Sequence, residues 1–371
     1  MDTMEAENAT LYDLLGRHWS VGAPVTNVVF DAAGEAVAFA LADGSLAIAP
    51  LIDSEPPKDR CRIALDGGRS TISPRRNPVP PLTKVVISDS SLHLASIEPS
   101  GFIASDRSQL LHVSAAGVRR EAAKFGTPID LVASVNAGGV LAASGGAVIY
   151  YDSNGDVGWL QERAGGSSSA MAVSPDGRSF AIGTDGCLLV RAFGPRPEPV
   201  ASFALGAVSI LSWSPDGSWL ATSLAEAGIV LLRLSDLRTV RICSYPASVT
   251  SLSWSADSRF LVTSGAYRII AWDAFSLDDG GEQPTSLGTG CGGFVLVETV
   301  NMHPGRRLVA AGYSDGRVVV ARIGEPDELV VKPPGRSAVQ ALRWSDDGQH
   351  LAVGTRGGEA AIVTFPPQIF K

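Results

Sequence analysis

Apolar and polar residues alternate along most of this chain, in runs of five or six broken by Gly, Pro, Asp and Ser. Period-two alternation puts the apolar side chains on one face of a strand, whereas an amphipathic helix repeats every three to four residues. Three stretches set the register. Residues 207–234 read AVSILSWSPDGSWLATSLAEAGIVLLRL, 248–275 read SVTSLSWSADSRFLVTSGAYRIIAWDAF, and 338–365 read AVQALRWSDDGQHLAVGTRGGEAAIVTF. Each holds an alternating strand ending in Trp213, Trp254 or Trp344, a short Ser/Asp turn, a second apolar strand, a polar hairpin and a third apolar strand. The turns have a local cause: Pro presets φ, Asp caps the backbone, and Gly takes the conformation other residues resist.

Weaker copies surround these. The segment 168–193 carries Val173 at the Trp position and 294–323 carries Met302. The runs 128–152, 91–113 and 25–49 carry Ser134, Ile97 and Phe30. Anchors at 134, 173, 213, 254, 302 and 344 lie 39, 40, 41, 48 and 42 residues apart. A period near 40 with three visible strands and a less regular fourth is the mark of a propeller blade.

The turns Ser174-Pro175-Asp176-Gly177 and Ser214-Pro215-Asp216-Gly217 resemble those of the WD40 family. So do the variants Ser255-Ala256-Asp257-Ser258 and Ser345-Asp346-Asp347-Gly348, and the single Trp272-Asp273 pair that closes a third strand. The chain departs from the family in having no Gly-His dipeptide before any first strand. The resemblance spans about residues 15–366 and implies an all-β fold: one WD40-type β-propeller of four-stranded antiparallel blades. Eight blades is the expected count and seven the alternative, since 83–113 could merely elaborate a neighbouring blade. The last unit lacks a fourth strand on its C-terminal side, so the N-terminal segment around 14–21 is expected to supply it and close the ring. The expected layout is a tail or short helix over 1–13, the propeller over 14–366 with a Pro/Arg-rich loop inserted at 66–82 between blades 1 and 2, and a tail over 367–371.

Composition agrees with a large β-domain: 45% hydrophobic residues with 40 Gly and 23 Pro. The net charge of −8 is not the footprint of a nucleic-acid binder. No apolar run is long enough to span a membrane, and the acidic N-terminus is not a signal peptide. Cys61, Cys187, Cys243 and Cys291 form no CxxC pair and read as free thiols in a reducing compartment. A soluble cytoplasmic protein follows, with neither nucleic acid nor membrane as partner. The in-register Trp213, Trp254 and Trp344 read as packing between blades. Trp219 reads as partly exposed, and Trp19 as an anchor of the closing strand.

Catalytic patterns are missing. There is no GxSxG elbow, HExxH or Walker A loop, and the Gly-rich runs 165–166 and 290–293 lack the helix needed to cradle phosphate. His303 and His350 fall at hairpin turns and read as solvated. Asp130, Glu98 and Glu298 are the nearest carboxylates to a central channel. No catalytic residue, cofactor or metal ligand is assigned. The expected function is a non-catalytic protein–protein interaction scaffold binding one or more proteins. The alternative is a propeller enzyme, of lactonase or hydrolase type, or a small-ligand or metal sensor at the channel.

The resemblance implies binding on the face that carries the second-to-third and fourth-to-first strand loops. Candidates there are Arg107, Tyr245, Tyr267, Arg268, Tyr313, Arg336 and Arg356, Tyr and Arg being enriched at interface hot spots. The insertion contributes Arg75 and Arg76 from a Pro-rich basic stretch, 69–81. It is expected to be extended, to project from the same face and to contact an acidic partner.

Overall fold

The computed structural model describes residues 9–63, 70–135, 138–152, 157–162, 168–184, 186–194, 198–225, 228–277 and 281–370, with the backbone alone at Ile63, Ser70 and 157–162. These form eight four-stranded antiparallel sheets and one two-stranded ribbon. Each sheet is a blade. The inner strands of blades 1 to 8 are Val25–Phe30, Leu94–Ser96, Ile129–Ser134, Ser168–Val173, Val208–Trp213, Leu252–Trp254, Val297–Met302 and Val339–Trp344. In seven blades the anchor read from the sequence is the last residue of the inner strand; in blade 2, Ile97 follows it directly.

Blade 8 takes its outer strand from the N-terminus. Gly16–Ser20 pairs with the third strand Glu359–Thr364, in the register Gly16↔Val363 to Ser20↔Glu359. The helix Leu11–Leu15 precedes it, with Thr10 and Asp13 forming a reciprocal capping box.

The core is distributed between blades. One cluster joins Ala181, Val190, Val208, Trp213, Leu220 and Val230 of blades 4 and 5. Second strands such as Trp219–Leu224 and Leu308–Tyr313 are buried throughout, which explains their unbroken apolar sequence. Glycine fits one repeated position there. A Cβ on Gly312 would meet Val339 of the next blade at 2.6 Å, and one on Gly354 would meet Val25 at 2.3 Å.

The first-to-second strand turns share one hydrogen-bond scheme. Ser214 Oγ donates to Asp216 Oδ1 at 2.6 Å and accepts from the Trp219 amide at 2.9 Å. Ser174, Ser255 and Ser345 repeat it. In blade 6 the glycine is replaced by Ser258, whose φ is +60°. Its hydroxyl instead accepts from the Asp216 amide of blade 5 at 3.0 Å. In blade 7 the buried His303 takes the serine position, and its Nδ1 accepts from the Gly305 amide.

The inserted segment does not project from the expected face. It lies inside blade 1, between the third strand Ser45–Pro50 and the outer strand Thr83–Val86. In an antiparallel blade that connection leaves from the end opposite the second-to-third loops. Nor is it simply extended: Cys61–Ile63 and Ser70–Ile72 pair as a ribbon, and the Glu55 carboxylate accepts from the Arg76 and Asn77 amides. Residues 66–69 of it lie outside the described residues. The rest fastens the ring seam. Arg17 of the closing strand donates to the Leu51 and Ile52 carbonyls, Arg60 to the Leu14 carbonyl, and Trp19 Nε1 to the Pro80 carbonyl at 2.7 Å. Asp53 joins Arg75 at 2.7 Å and Arg17 at 3.9 Å, with all three side chains under a tenth exposed. The C-terminal stretch is packed as well: Phe370 lies against Phe365, Trp344 and His303, with ring centroids 4.9 to 6.3 Å apart.

Candidate protein-binding face

Second-to-third turns bond to the fourth-to-first connections beside them, so the two loop sets form one face. Across blades 6 to 8, the Gly293 amide donates to the Tyr267 carbonyl at 3.2 Å and Ser314 to Leu296 at 2.9 Å. Gly335 donates to Asp315 at 2.8 Å and Arg356 to Ala338 at 2.9 Å. These bonds fix the loops on a rigid ring, so the side chains they carry are held in place before any partner arrives.

The structure divides the sequence candidates. Tyr267, Arg336 and Arg356 are exposed on this arc, and Arg268 is half-buried with its Nε donating to the Gly290 carbonyl at 3.0 Å. Arg336 and Arg356 form no ion pair among the described residues. Arg107 is on the same face at blade 2, where it pairs with Asp89.

Two candidates are core residues. Tyr245 is buried; its hydroxyl bonds to Thr263 Oγ1 at 2.8 Å and accepts from Trp272 Nε1 at 2.7 Å. Burial pushes its phenol up to about 12, against which these two bonds act. Tyr313 is fully buried between blades 6 and 7 with the Arg317 guanidinium over its ring at 4.2 Å. Burial and the neighbouring Glu328 push its phenol up to about 12. Neither presents a surface to a partner. Arg75 is likewise enclosed by Asp53, and Arg76 is exposed on the opposite face with the rest of the insertion.

Sequence reasoning missed Phe294. It is 99% exposed in the connection from blade 6 to blade 7, beside the Tyr267 turn, and Tyr267 itself is 47% exposed. The available signal was an aromatic placed after Cys291-Gly292-Gly293, outside any alternating run. The aromatic readings elsewhere divide too. Trp213, Trp254 and Trp344 are buried as expected, and Trp254 Nε1 reaches the Ser212 carbonyl of the preceding blade at 3.1 Å. Trp219, expected to be partly exposed, is 2% exposed under the Arg233 guanidinium. His303 is buried on Trp344 rather than solvated. His350 bonds Thr364.

Asp130 and Glu298 stand second in the inner strands of blades 3 and 7, at the end nearer the fourth-to-first loops, while Glu98 is exposed just past the inner strand of blade 2, at the opposite end. Among the described residues no three His, Cys, Asp or Glu side chains come together in a group that could hold a metal. No described helix is long and apolar enough to cross a membrane.

Residues 237–273, which run from the outer strand of blade 5 to the Trp272-Asp273 pair, match the WD domain, G-beta repeat family. That match and the eight four-stranded blades support a WD40-repeat β-propeller. It is 32% identical over 133 residues to a serine-threonine kinase receptor-associated protein of Dictyostelium discoideum, a match covering 34% of this chain and 41% of that protein. It is 24% identical over 192 residues to Protein HIR1 of Candida albicans, covering 43% of this chain and 20% of that one. The chain thus spans about two-fifths and one-fifth of the length of these relatives. Among solved structures, the computationally designed Ika8 protein superposes with a TM-score of 0.69 at 15% identity, over 93% of this chain and 98% of Ika8. A chain of the mitotic checkpoint complex superposes with a TM-score of 0.57 at 14% identity, over 74% and 86%. At such identities these two share the fold alone.

In this propeller the one literal Trp-Asp pair keeps a structural role. Asp273 accepts from Arg259 Nε and Nη2, at 3.0 and 2.7 Å. Elsewhere the Ser–Asp turns hold the blades.

Proposed function

We propose that this propeller is a non-catalytic scaffold that binds other proteins on the face of the second-to-third and fourth-to-first loops, over blades 6 to 8. The observation that carries the reading is Phe294, fully exposed beside the half-exposed Tyr267, with Arg336 and Arg356, which form no ion pair among the described residues, on the same arc. Exposed aromatics cost solvation unless something covers them, and aromatic and Arg side chains supply most hot-spot energy at protein interfaces. The protein as a whole carries a charge of −8. An uncompensated cationic arc on such a surface favours a partner with acidic residues around an apolar anchor. The name of the Dictyostelium relative, a receptor-associated protein, fits the same reading. A cytoplasmic setting, with its reducing chemistry, suits four cysteines of which none is in a disulfide.

Affinity capture from native extract tests it, comparing the wild type with a Tyr267→Ala/Phe294→Ala/Arg336→Glu/Arg356→Glu variant. Proteins enriched by the wild type and lost from the variant are expected. Equal enrichment by both would overturn this assignment of the face.

A further inference from the structure

The opposite face carries a second site that the scaffold reading does not use. The insertion folds around a cleft of about 340 Å³ whose lining includes Arg60, Arg62 and Arg76, with Glu55 and Asp59. Directly behind it sit Arg75, Asp53 and Arg17. Among the described residues five arginines therefore gather with three carboxylates, an excess of two positive charges on a protein of net charge −8.

The three carboxylates do not neutralise the cleft. Asp53 is taken by Arg75 and Arg17. Glu55 is occupied by the Arg76 and Asn77 amides and by the Asn77 side chain. Asp59 is exposed at the rim. Arg60 spends its donors on neutral carbonyls, those of Glu55, Ser73 and Leu14, so among the described residues its charge has no direct counter-ion. Arg62 and Arg76 are exposed and form no ion pair among the described residues. Three buried donors of the cluster, Arg17 Nε and Arg75 Nε and Nη2, meet no acceptor. An orphaned guanidinium N–H is costly, and a cluster of like charges is costly again. The second cost falls when an anion enters the cleft.

We propose that this cleft is an anion site that takes a phosphoryl group. A phosphate monoester carries close to two negative charges at neutral pH and offers three strong acceptor oxygens, which matches the excess charge. Guanidinium groups pair with phosphate oxygens through two parallel N–H bonds. The cleft is large enough for a phosphorylated side chain or a free phosphate. Either would bridge the ribbon to the 73–77 stretch and so brace the segment that fastens the ring seam.

The test is calorimetric titration of the full chain with sodium phosphate at pH 7, at an ionic strength matched with sodium chloride. Saturable binding is expected. It should weaken about tenfold or more in Arg62→Gln/Arg76→Gln and stay unchanged in Arg336→Gln/Arg356→Gln on the other face. These four residues are all exposed, so the variants should keep the wild-type circular dichroism and melting temperature. Parallel titrations with a phosphoserine peptide and its serine counterpart identify the source. Tighter binding of the phosphopeptide than of inorganic phosphate supports the site with an esterified ligand, and equal binding supports it with the free anion. No saturable binding of phosphate or phosphopeptide, or binding insensitive to Arg62→Gln/Arg76→Gln, would overturn the proposal.

Discussion

Replacing Asp53 with alanine removes the carboxylate that faces both Arg75 and Arg17 at the ring seam. The three side chains are 6%, 9% and 3% exposed, and Arg75 Nη1 lies 2.8 and 2.7 Å from the two Asp53 oxygens. Without the carboxylate, two enclosed guanidinium groups repel one another with no counter-charge between them. Breaking a buried pair by deleting one partner costs about 3–5 kcal/mol. For 371 residues the unfolding entropy is about 0.8 kcal/mol per kelvin, so the melting temperature should fall by about 4–6 °C. The loss should be local at first. Hydrogen exchange at Gly16–Ser20, whose pairing with blade 8 the insertion braces, should rise more than exchange within Val339–Trp344. Replacing all three together, as Arg17→Met/Asp53→Leu/Arg75→Met, should recover most of the loss, since apolar packing often equals a buried ion cluster in stability. Calorimetry and exchange mass spectrometry read both effects. An Asp53→Ala protein that melts within about 1 °C of the wild type, with unchanged exchange at 16–20, would refute this account of the seam.

Further predictions concern the ring itself. Gly312→Ala, which sets a Cβ against Val339, should cost about 1–3 kcal/mol in chemical denaturation. Trp254→Ala should cost about 3–5 kcal/mol in the same assay, because that side chain is 7% exposed and bonds the preceding blade. Stability should also fall with acid in two stages. His93 and His303 are held below the usual histidine range, mainly by burial. Their contribution is present above the ordinary value of about 6.5 and is lost as the pH falls through it toward the folded value. Asp43 and Asp176 are held below the usual carboxylate range by the hydroxyls of Ser45 and Ser174. Their contribution is present above about pH 4 and disappears below it. Melting temperatures from pH 8 to pH 3 should show both slopes.

The sequence revealed the blades because burial imposes itself on pattern. In blades 5 to 8 the inner strand ends in a large side chain that packs against its neighbours, and Trp213, Trp254, Met302 and Trp344 mark it. The expected closing strand is Gly16–Ser20, legible because blade 8 otherwise ended after three strands. What the sequence could not carry was depth within loops. Tyr245 and Tyr313 sit where loop residues were expected, yet interblade contacts draw both into the core. Phe294 sits outside any alternating run, so no periodicity flags it, and only its exposure singles it out. The insertion was legible as basic and Pro-rich, but its face depends on which strands it joins. The outer strand Thr83–Val86 is short and irregular in pattern, so the insertion read as a linker between blades rather than a loop within blade 1.

The binding face can be tested at a single residue. A photo-crosslinking benzoylphenylalanine placed at Phe294, in the full chain in native extract, should form discrete adducts with another protein. The same probe at Gln349, exposed on the opposite face, should not give those adducts. Adducts of the same size and yield from both positions, or none from position 294, would contradict the assignment of the blade 6–8 arc as the docking surface.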